Sequence, residues 1–173
     1  AAALAEGRLT RGELQRSAAN ICRFLLQTPA FRRGIGRTSA LDDQLEAMAE
    51  QDMQQAAQSG QPLTLRDGTA IDITAIDNGY RRTTAFRVTA GEGGSYTLHL
   101  RCRAMPGNSP LAQIPVSVFA GRVFLKTMTI TGAQTDWCDF TVSLPALNTG
   151  DEFFLRFYFG QSGMELGAVI LKK

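Results

Sequence analysis

Apolar residues recur along this chain with two different periods, and the change falls near residue 60. From Leu14 the apolar positions Ala18, Ile21, Cys22 and Leu25 return at three- and four-residue spacing, which predicts one stripe along a helix. Thr10 and Glu13 stand at the spacing of a capping box, in which each side chain satisfies a free backbone N–H at a helix start. Pro29 disfavours a helical Thr28, so this helix should end near Gln27. Residues 30–38 form a basic, glycine-containing connector. A second helix is expected after Ser39, with Asp42 in its first turn and a thin stripe of Leu41, Leu45, Met48, Ala49, Asp52, Met53 and Ala56. It should end at Ser59-Gly60.

Beyond Gly60 the period becomes two. Turn clusters such as Arg66-Asp67-Gly68, Asp77-Asn78-Gly79, Pro106-Gly107-Asn108 and Asn148-Thr149-Gly150 separate short alternating runs. Even spacing of that kind predicts an all-β sandwich of roughly eight or nine strands, of jelly-roll type. Successive side chains on a strand point to opposite faces, so the runs assign themselves. Tyr96, Leu98, Leu100, Cys102 and Ala104 should face the core, and Thr97, His99, Arg101 and Arg103 the solvent. Phe86 and Val88, then Ile114, Val116 and Val118, should also point inward. In Phe153–Phe159 both phases carry aromatics, which predicts a strand covered on both faces, by the helical segment among other candidates. The expected fold is therefore mainly β, an antiparallel sandwich over 61–173 preceded by an α-helical segment over 1–60.

Composition narrows the function classes. The 173 residues are 44% hydrophobic and 20% charged, as in an ordinary globular protein. A formal net charge of +2 and few aromatics among the basic residues argue against nucleic acid as partner. No apolar run is long enough to span a bilayer, so no membrane partner is expected. The three cysteines make no disulfide framework, although Cys102 and Cys138 can be imagined as a pair. Free thiols suit the bacterial cytoplasm. The chain opens at Ala1 inside an apolar-periodic stretch without a signal-peptide pattern, and it reads as a piece of a longer protein.

Candidate chemistry is sparse. The single histidine, His99, supports neither a zinc site nor a catalytic triad, and no carboxylate pair invites general acid–base work. Catalytic residues and metal ligands are thus expected to be absent. Asp72, Asp77 and Asn78 offer oxygens for a calcium ion, or simply build turns. Trp137, the one tryptophan, lies out of phase with the core set Cys138, Phe140, Val142 and Leu144. It shares its phase with Asp139, Thr141 and Ser143. Such a ring either stacks on a sugar while its polar neighbours bond hydroxyls, or covers the rim of the sandwich. Arg81, Arg82, Arg87, Arg101, Arg103 and Arg156, with His99, can line one sheet face. That face would be solvated, or meet an anionic sugar, another domain or nucleic acid.

Two resemblances extend this reading. Leu4-Ala5-Glu6-Gly7-Arg8-Leu9-Thr10, followed by Glu13-Leu14-Gln15, Ala18, Asn20-Ile21, Phe24-Leu25 and Thr28-Pro29, resembles a helix at the end of the catalytic region of family 3 glycoside hydrolases. No position matches the nucleophile or acid/base motif of those β-glucosidase-like enzymes, so the resemblance implies a non-catalytic part. The segments Asp77-Asn78-Gly79-Tyr80, Phe86-Arg87-Val88, Gly94–Arg101, Val116-Ser117-Val118 and Thr131–Phe140 are similar in order and spacing to carbohydrate-binding modules of the family 6 and 35 type. That resemblance implies a sandwich that binds a β-linked oligo- or polysaccharide. Trp137 and Tyr80 would stack, and Asn78, Asp136 or Asp139 would bond hydroxyls. Such modules associate with calcium, but the last strand here, Met164–Ile170, lacks an aspartate they often carry, and no cofactor is expected. The parent catalytic domain is the second implied partner. A different class stays open, in which the sandwich is a structural docking or homo-oligomerising domain without sugar affinity.

Overall fold

The computed structural model describes Gly7, residues 9–28, Phe31 and residues 40–173. The opening stretch Ala1–Ala5, most of the connector over 30–38, and Ser39 lie outside the described residues, as do the side chains of Leu41, Asp42 and Leu45. Helix α1 (Arg11–Gln27) starts on the capping box its sequence spells. The Glu13 N–H donates to Thr10 Oγ1 at 3.2 Å, and the Thr10 N–H donates to the Glu13 carboxylate at 2.8 Å. These bonds hold the Glu13 carboxyl below the usual carboxylate range. Thr28 is extended and closes the helix by donating to Leu25 O. No residue of α1 is buried, and Leu14, Ile21, Phe24 and Leu25 are all exposed.

Helix α2 (Ala40–Ser59) follows, and the break between the chain's two compact units falls within it, between Glu50 and Gln51. The second unit, from Gln51 to Lys173, contains every strand. These are β1 (Gln61–Leu65), β2 (Thr69–Ala70), β3 (Arg82–Ala90), β4 (Thr97–Ala104), β5 (Gln113–Ala120), β6 (Val123–Thr131), β7 (Cys138–Ser143), β8 (Glu152–Phe159) and β9 (Met164–Lys172). A five-stranded sheet has the order β1-β3-β8-β5-β6, and a four-stranded sheet the order β2-β9-β4-β7. All pairs are antiparallel except β1 with β3. After β3 the chain changes sheet at nearly every step, and only the β5–β6 hairpin stays within one.

The alternation places the core as the period of two requires. Leu98, Leu100, Cys102, Ile114, Val116 and Val118 are closed to solvent between the sheets, with Phe86, Val88, Phe157 and Phe159. Each such side chain contributes about 1.5–3 kcal/mol relative to an exposed one. Val142 and Leu144 of the Trp137 segment are buried too, while Cys138 and Phe140 lie at the core's margin. The mainly β fold with a helical amino-terminal segment is thus as the sequence pattern indicates. Cys102 and Cys138 are register partners on β4 and β7, and both are free thiols.

Strand β8 is covered on its inner face, and on its outer face only around Arg156, since Glu152 and Tyr158 on that side are exposed. Leu155, Phe157 and Phe159 point into the core. On the other side Arg156 is buried under the carboxy-terminal end of α2. Its Nη1 donates to Asp52 at 3.1 Å, and its Nε and Nη2 donate to the Gly121 carbonyl at 3.3 and 3.0 Å. The guanidinium lies 4.9 Å from the Phe119 ring centroid. Ala56 of the same helix is buried, and Gly60 abuts Phe154.

The arginines do not line one face. Arg101 and Arg103 stand with His99 on the outer side of the four-stranded sheet, because β4 lies there. Arg87 and Arg156 belong to the outer side of the five-stranded sheet, and Arg156 is buried rather than solvated. Arg82 opens β3 and pairs with Asp77 at 3.4 Å, whereas Arg81 sits before it in the loop. Alternation within a strand says which residues share a side, but not which strands share a sheet.

Candidate functional site

The outer side of the four-stranded sheet is read most easily in rows across its strands. His99 stands opposite Thr141 of β7 and Ile170 of β9. Arg101 stands opposite Asp139 and Ala168, and Thr97 opposite Ser143 and Lys172. Alternate residues of one strand lie about 6–7 Å apart, so these rows form a ladder along β4. Between them runs a surface groove of about 310 Å³, lined by His99, Arg101, Asp139, Ala168, Ile170 and Lys172. Its floor is apolar and its sides carry cations and one carboxylate.

Trp137 closes one end of this ladder. It is half-buried at the foot of β7, on the side its phase predicts. A β-bulge lies where β9 passes Arg101 and Cys102, and the extra residue there is Gly167. A Cβ on Gly167 would meet Trp137 Cζ3 at 2.7 Å and Cη2 at 2.9 Å, so the indole is seated on a notch that only glycine leaves. The guanidinium carbons of Arg103 and Arg101 lie 4.5 and 5.6 Å from the ring centroid, both within cation–π range. Arg103 Nε also donates to Glu165 at 2.8 Å, a bond that raises the arginine's pKa further. Arg101 faces Asp139 at a looser 3.7 Å.

The five residues singled out from the sequence divide between this face and one loop. Trp137 and Asp139 are on the face, and Asp136 is exposed beside Trp137. Asn78 and Tyr80 belong to the loop before β3. That loop emerges at the same end of the sandwich as Trp137. Arg82 at the start of β3 pairs with Phe159 at the end of β8, and a four-residue loop then leads to Met164, opposite Ala104. Asn78 is engaged structurally, donating from Nδ2 to Met164 O at 2.6 Å. Tyr80 is exposed, with the Arg81 guanidinium 5.1 Å from its ring centroid. Asp72 accepts from the Thr74 N–H and hydroxyl, which lower its pKa, and Asp77 accepts from the Gly79 N–H. The carboxylates weighed for calcium thus carry turn bonds, and the described residues hold no group of three or more His, Cys, Asp or Glu arranged for a metal ion.

Sequence reasoning passed over the β9 contribution: Gly167, Ala168, Ile170 and Lys172. Which strand neighbours β4 is a long-range fact that no local pattern states. A glycine inside an alternating strand was the one available signal, since it marks a bulge or a close approach.

Fold and face together define a two-sheet β-sandwich with an aromatic-anchored, partly cationic groove on one sheet. No family model matches the chain. Over 99% of its length it is 32% identical to a β-glucosidase of Ruminococcus albus, and it spans 18% of that protein. Among solved structures, a β-glucosidase from Paenibacillus barengoltzii is similar over 98% of this chain and 17% of its own, at 23% identity and a TM-score of 0.40. The carboxy-terminal CBM6 module of a laminarinase from Zobellia galactanivorans is similar over 62% of this chain and 90% of its own, at 9% identity and a TM-score of 0.42. A carbohydrate-binding module of Cellvibrio mixtus lichenase 5A, solved with cellotriose, is similar over 62% and 86% at 15% identity and a TM-score of 0.39. Among the described residues no helix is long and apolar enough to cross a membrane.

Proposed function

We propose that this chain is a non-catalytic part of a β-glucosidase-like, family 3 glycoside hydrolase, and that its sandwich, residues 61–173, binds glycan for the parent enzyme. Residues 1–60 are then the end of the catalytic region and a linker. The whole-length identity to a β-glucosidase supports the parentage. The observation that carries the binding role is Trp137, seated on Gly167 beside Arg101, whose side chain also lines an open groove with an apolar floor and polar sides. Apolar C–H surface of a pyranose fits such a floor, hydroxyls fit Asp139 and His99 of its lining, and Asp136 adds an exposed carboxylate from the turn before Trp137. Tyr80 offers a second exposed ring at the same end of the sandwich. Retention beside a polysaccharide raises the substrate concentration seen by the tethered catalytic domain, without chemistry of its own. The parent works in the bacterial cytoplasm in this reading, in keeping with the free thiols.

The test is affinity electrophoresis or column retention on β-linked glycans, comparing the chain with Trp137→Ala after circular dichroism has shown both folded. Retention of the first and loss in the second supports the reading. Equal retention, or none in either, removes it.

One observation favours a docking role instead. Val123 and Phe124 are exposed on the five-stranded sheet, with Phe124 edge-to-face on Phe119, and a hollow of about 350 Å³ is lined by Met53, Gly121, Phe153 and Phe154 with Arg87 and Glu152. Self-association that is lost in Phe124→Ser, with no glycan retention, is the result this second reading expects.

A further inference from the structure

The groups around Trp137 say more about the ligand than the tryptophan does. A neutral pyranose stacks on a bare aromatic face. Here the ring edge rests on Gly167, and two guanidinium groups lie within 6 Å of its centroid. A neutral sugar on this ring would sit beside two cations that it cannot pair with, whereas an acidic sugar meets those cations as partners. We propose that the outer side of the four-stranded sheet takes an acidic oligosaccharide, its carboxylates bound along β4 by Arg103, Arg101 and the residues in line with them. This rests on the glycan-binding reading above and specifies the class of glycan.

The arrangement of donors supports it. Positions 99, 101 and 103 of β4 share one side, and Lys172 continues the line beside Thr97. Three steps of two residues make a ladder of about 20 Å from the Trp137 end to Lys172, the reach of a short oligosaccharide rather than of a single sugar. The carboxylates on this face do not cancel the cations. Glu165 accepts from Arg103 Nε, and neither Nη of that guanidinium has a hydrogen-bond partner among the described residues. Asp139 is highly exposed and 3.7 Å from Arg101, a loose, solvent-screened contact that an incoming carboxylate can replace. The side chains of His99 and Lys172 have no hydrogen-bond or ion-pair partner among the described residues. Trp137 then acts by holding the two guanidinium planes in place. Pre-set forks lose little freedom on binding a carboxylate, which is what bidentate recognition needs.

Because Trp137 is the one tryptophan, its emission reports on this site alone. The chain is titrated with β-1,4-linked tetraglucuronate, with neutral cellotetraose of the same linkage and length, and with tripolyphosphate, at about 10 and about 300 mM salt. Tetraglucuronate is expected to shift the emission and to bind about tenfold more tightly than cellotetraose at low salt, with most of that margin lost at high salt. Arg101→Gln and Lys172→Gln, both exposed positions, are each expected to reduce the acidic preference severalfold. If cellotetraose binds as tightly as tetraglucuronate, the acidic class is wrong and the glycan-binding reading stands. Tripolyphosphate binding as tightly as tetraglucuronate overturns the proposal by showing a patch that reads charge only. Silence with both saccharides overturns the proposal and the glycan-binding reading together.

Discussion

Asp52→Ala tests how the carboxy-terminal end of α2 is held to the sandwich. The carboxylate pairs with Arg156, whose side chain is 5% exposed, while that of Asp52 is 53% exposed. At 3.1 Å two unit charges attract by about 5 kcal/mol in an effective dielectric of about 20. Losing one partner of a fully buried pair costs about 3–5 kcal/mol because the other charge is stranded. Here water reaches half of Asp52, and Arg156 keeps its two bonds to the Gly121 carbonyl, so the loss should be smaller. Alanine also returns about 0.5 kcal/mol of helix propensity. The net expectation is a destabilisation of about 1–2 kcal/mol, or a fall of about 3–6 °C in Tm. Urea unfolding followed by Trp137 emission measures it, in the native background and in Arg156→Met. In the second background the guanidinium is gone, and Asp52→Ala should cost no more than about 0.5 kcal/mol. An equal cost in both backgrounds, or none in the first, would refute the argument that this ion pair fastens the helix.

Three further outcomes follow from single features. Arg81 is a non-glycine residue at φ 53° in the turn before β3, so Arg81→Gly should stabilise the chain by about 0.5–1 kcal/mol in the same urea assay, and a loss of stability contradicts the strain argument. Gly167→Ala puts a methyl group where the Trp137 ring lies, and should blue- or red-shift the emission, cost about 1–2 kcal/mol and weaken glycan retention; an unchanged spectrum would mean that the indole is not seated there. Burial pushes the Cys102 thiol from its ordinary value of 9.0 up to about 11, helped by the neighbouring Cys138 and Asp139. Between those values the unfolded chain releases this proton while the folded chain keeps it, so stability should fall as pH rises from 9.0 to about 11, and Cys102→Ala should flatten that slope.

Local signals made much of this molecule legible. The capping box at Thr10 and Glu13, the stop before Pro29, the switch of period at Gly60 and the inward set of β4 all rest on contacts within a few residues, and each is realised. Aromatics on both phases of Phe153–Phe159 announced a strand covered on both faces, whereas the outer side is covered only around the buried Arg156 and its helix, and Tyr158 on that side is exposed. The arginine face failed because sheet membership is decided by long-range pairing: β3 and β8 went to one sheet, and β4 to the other. Trp137 was legible as an outward residue, but not its seat on Gly167 or the two guanidinium groups beside it, since the seat lies thirty residues further along the chain. Asn78 looked like a hydroxyl partner, whereas its amide is spent on Met164 O at the start of β9. A side chain's free donors can be counted only after folding has assigned the others.

The most direct test of the central claim is retention of the folded chain on immobilised β-linked glycans, neutral and acidic, beside Trp137→Ala. The account predicts that the chain is retained, most strongly by the acidic glycan, and that the substitution removes retention without unfolding the sandwich. Retention unchanged by the substitution, or absent from both proteins on every glycan, would contradict it.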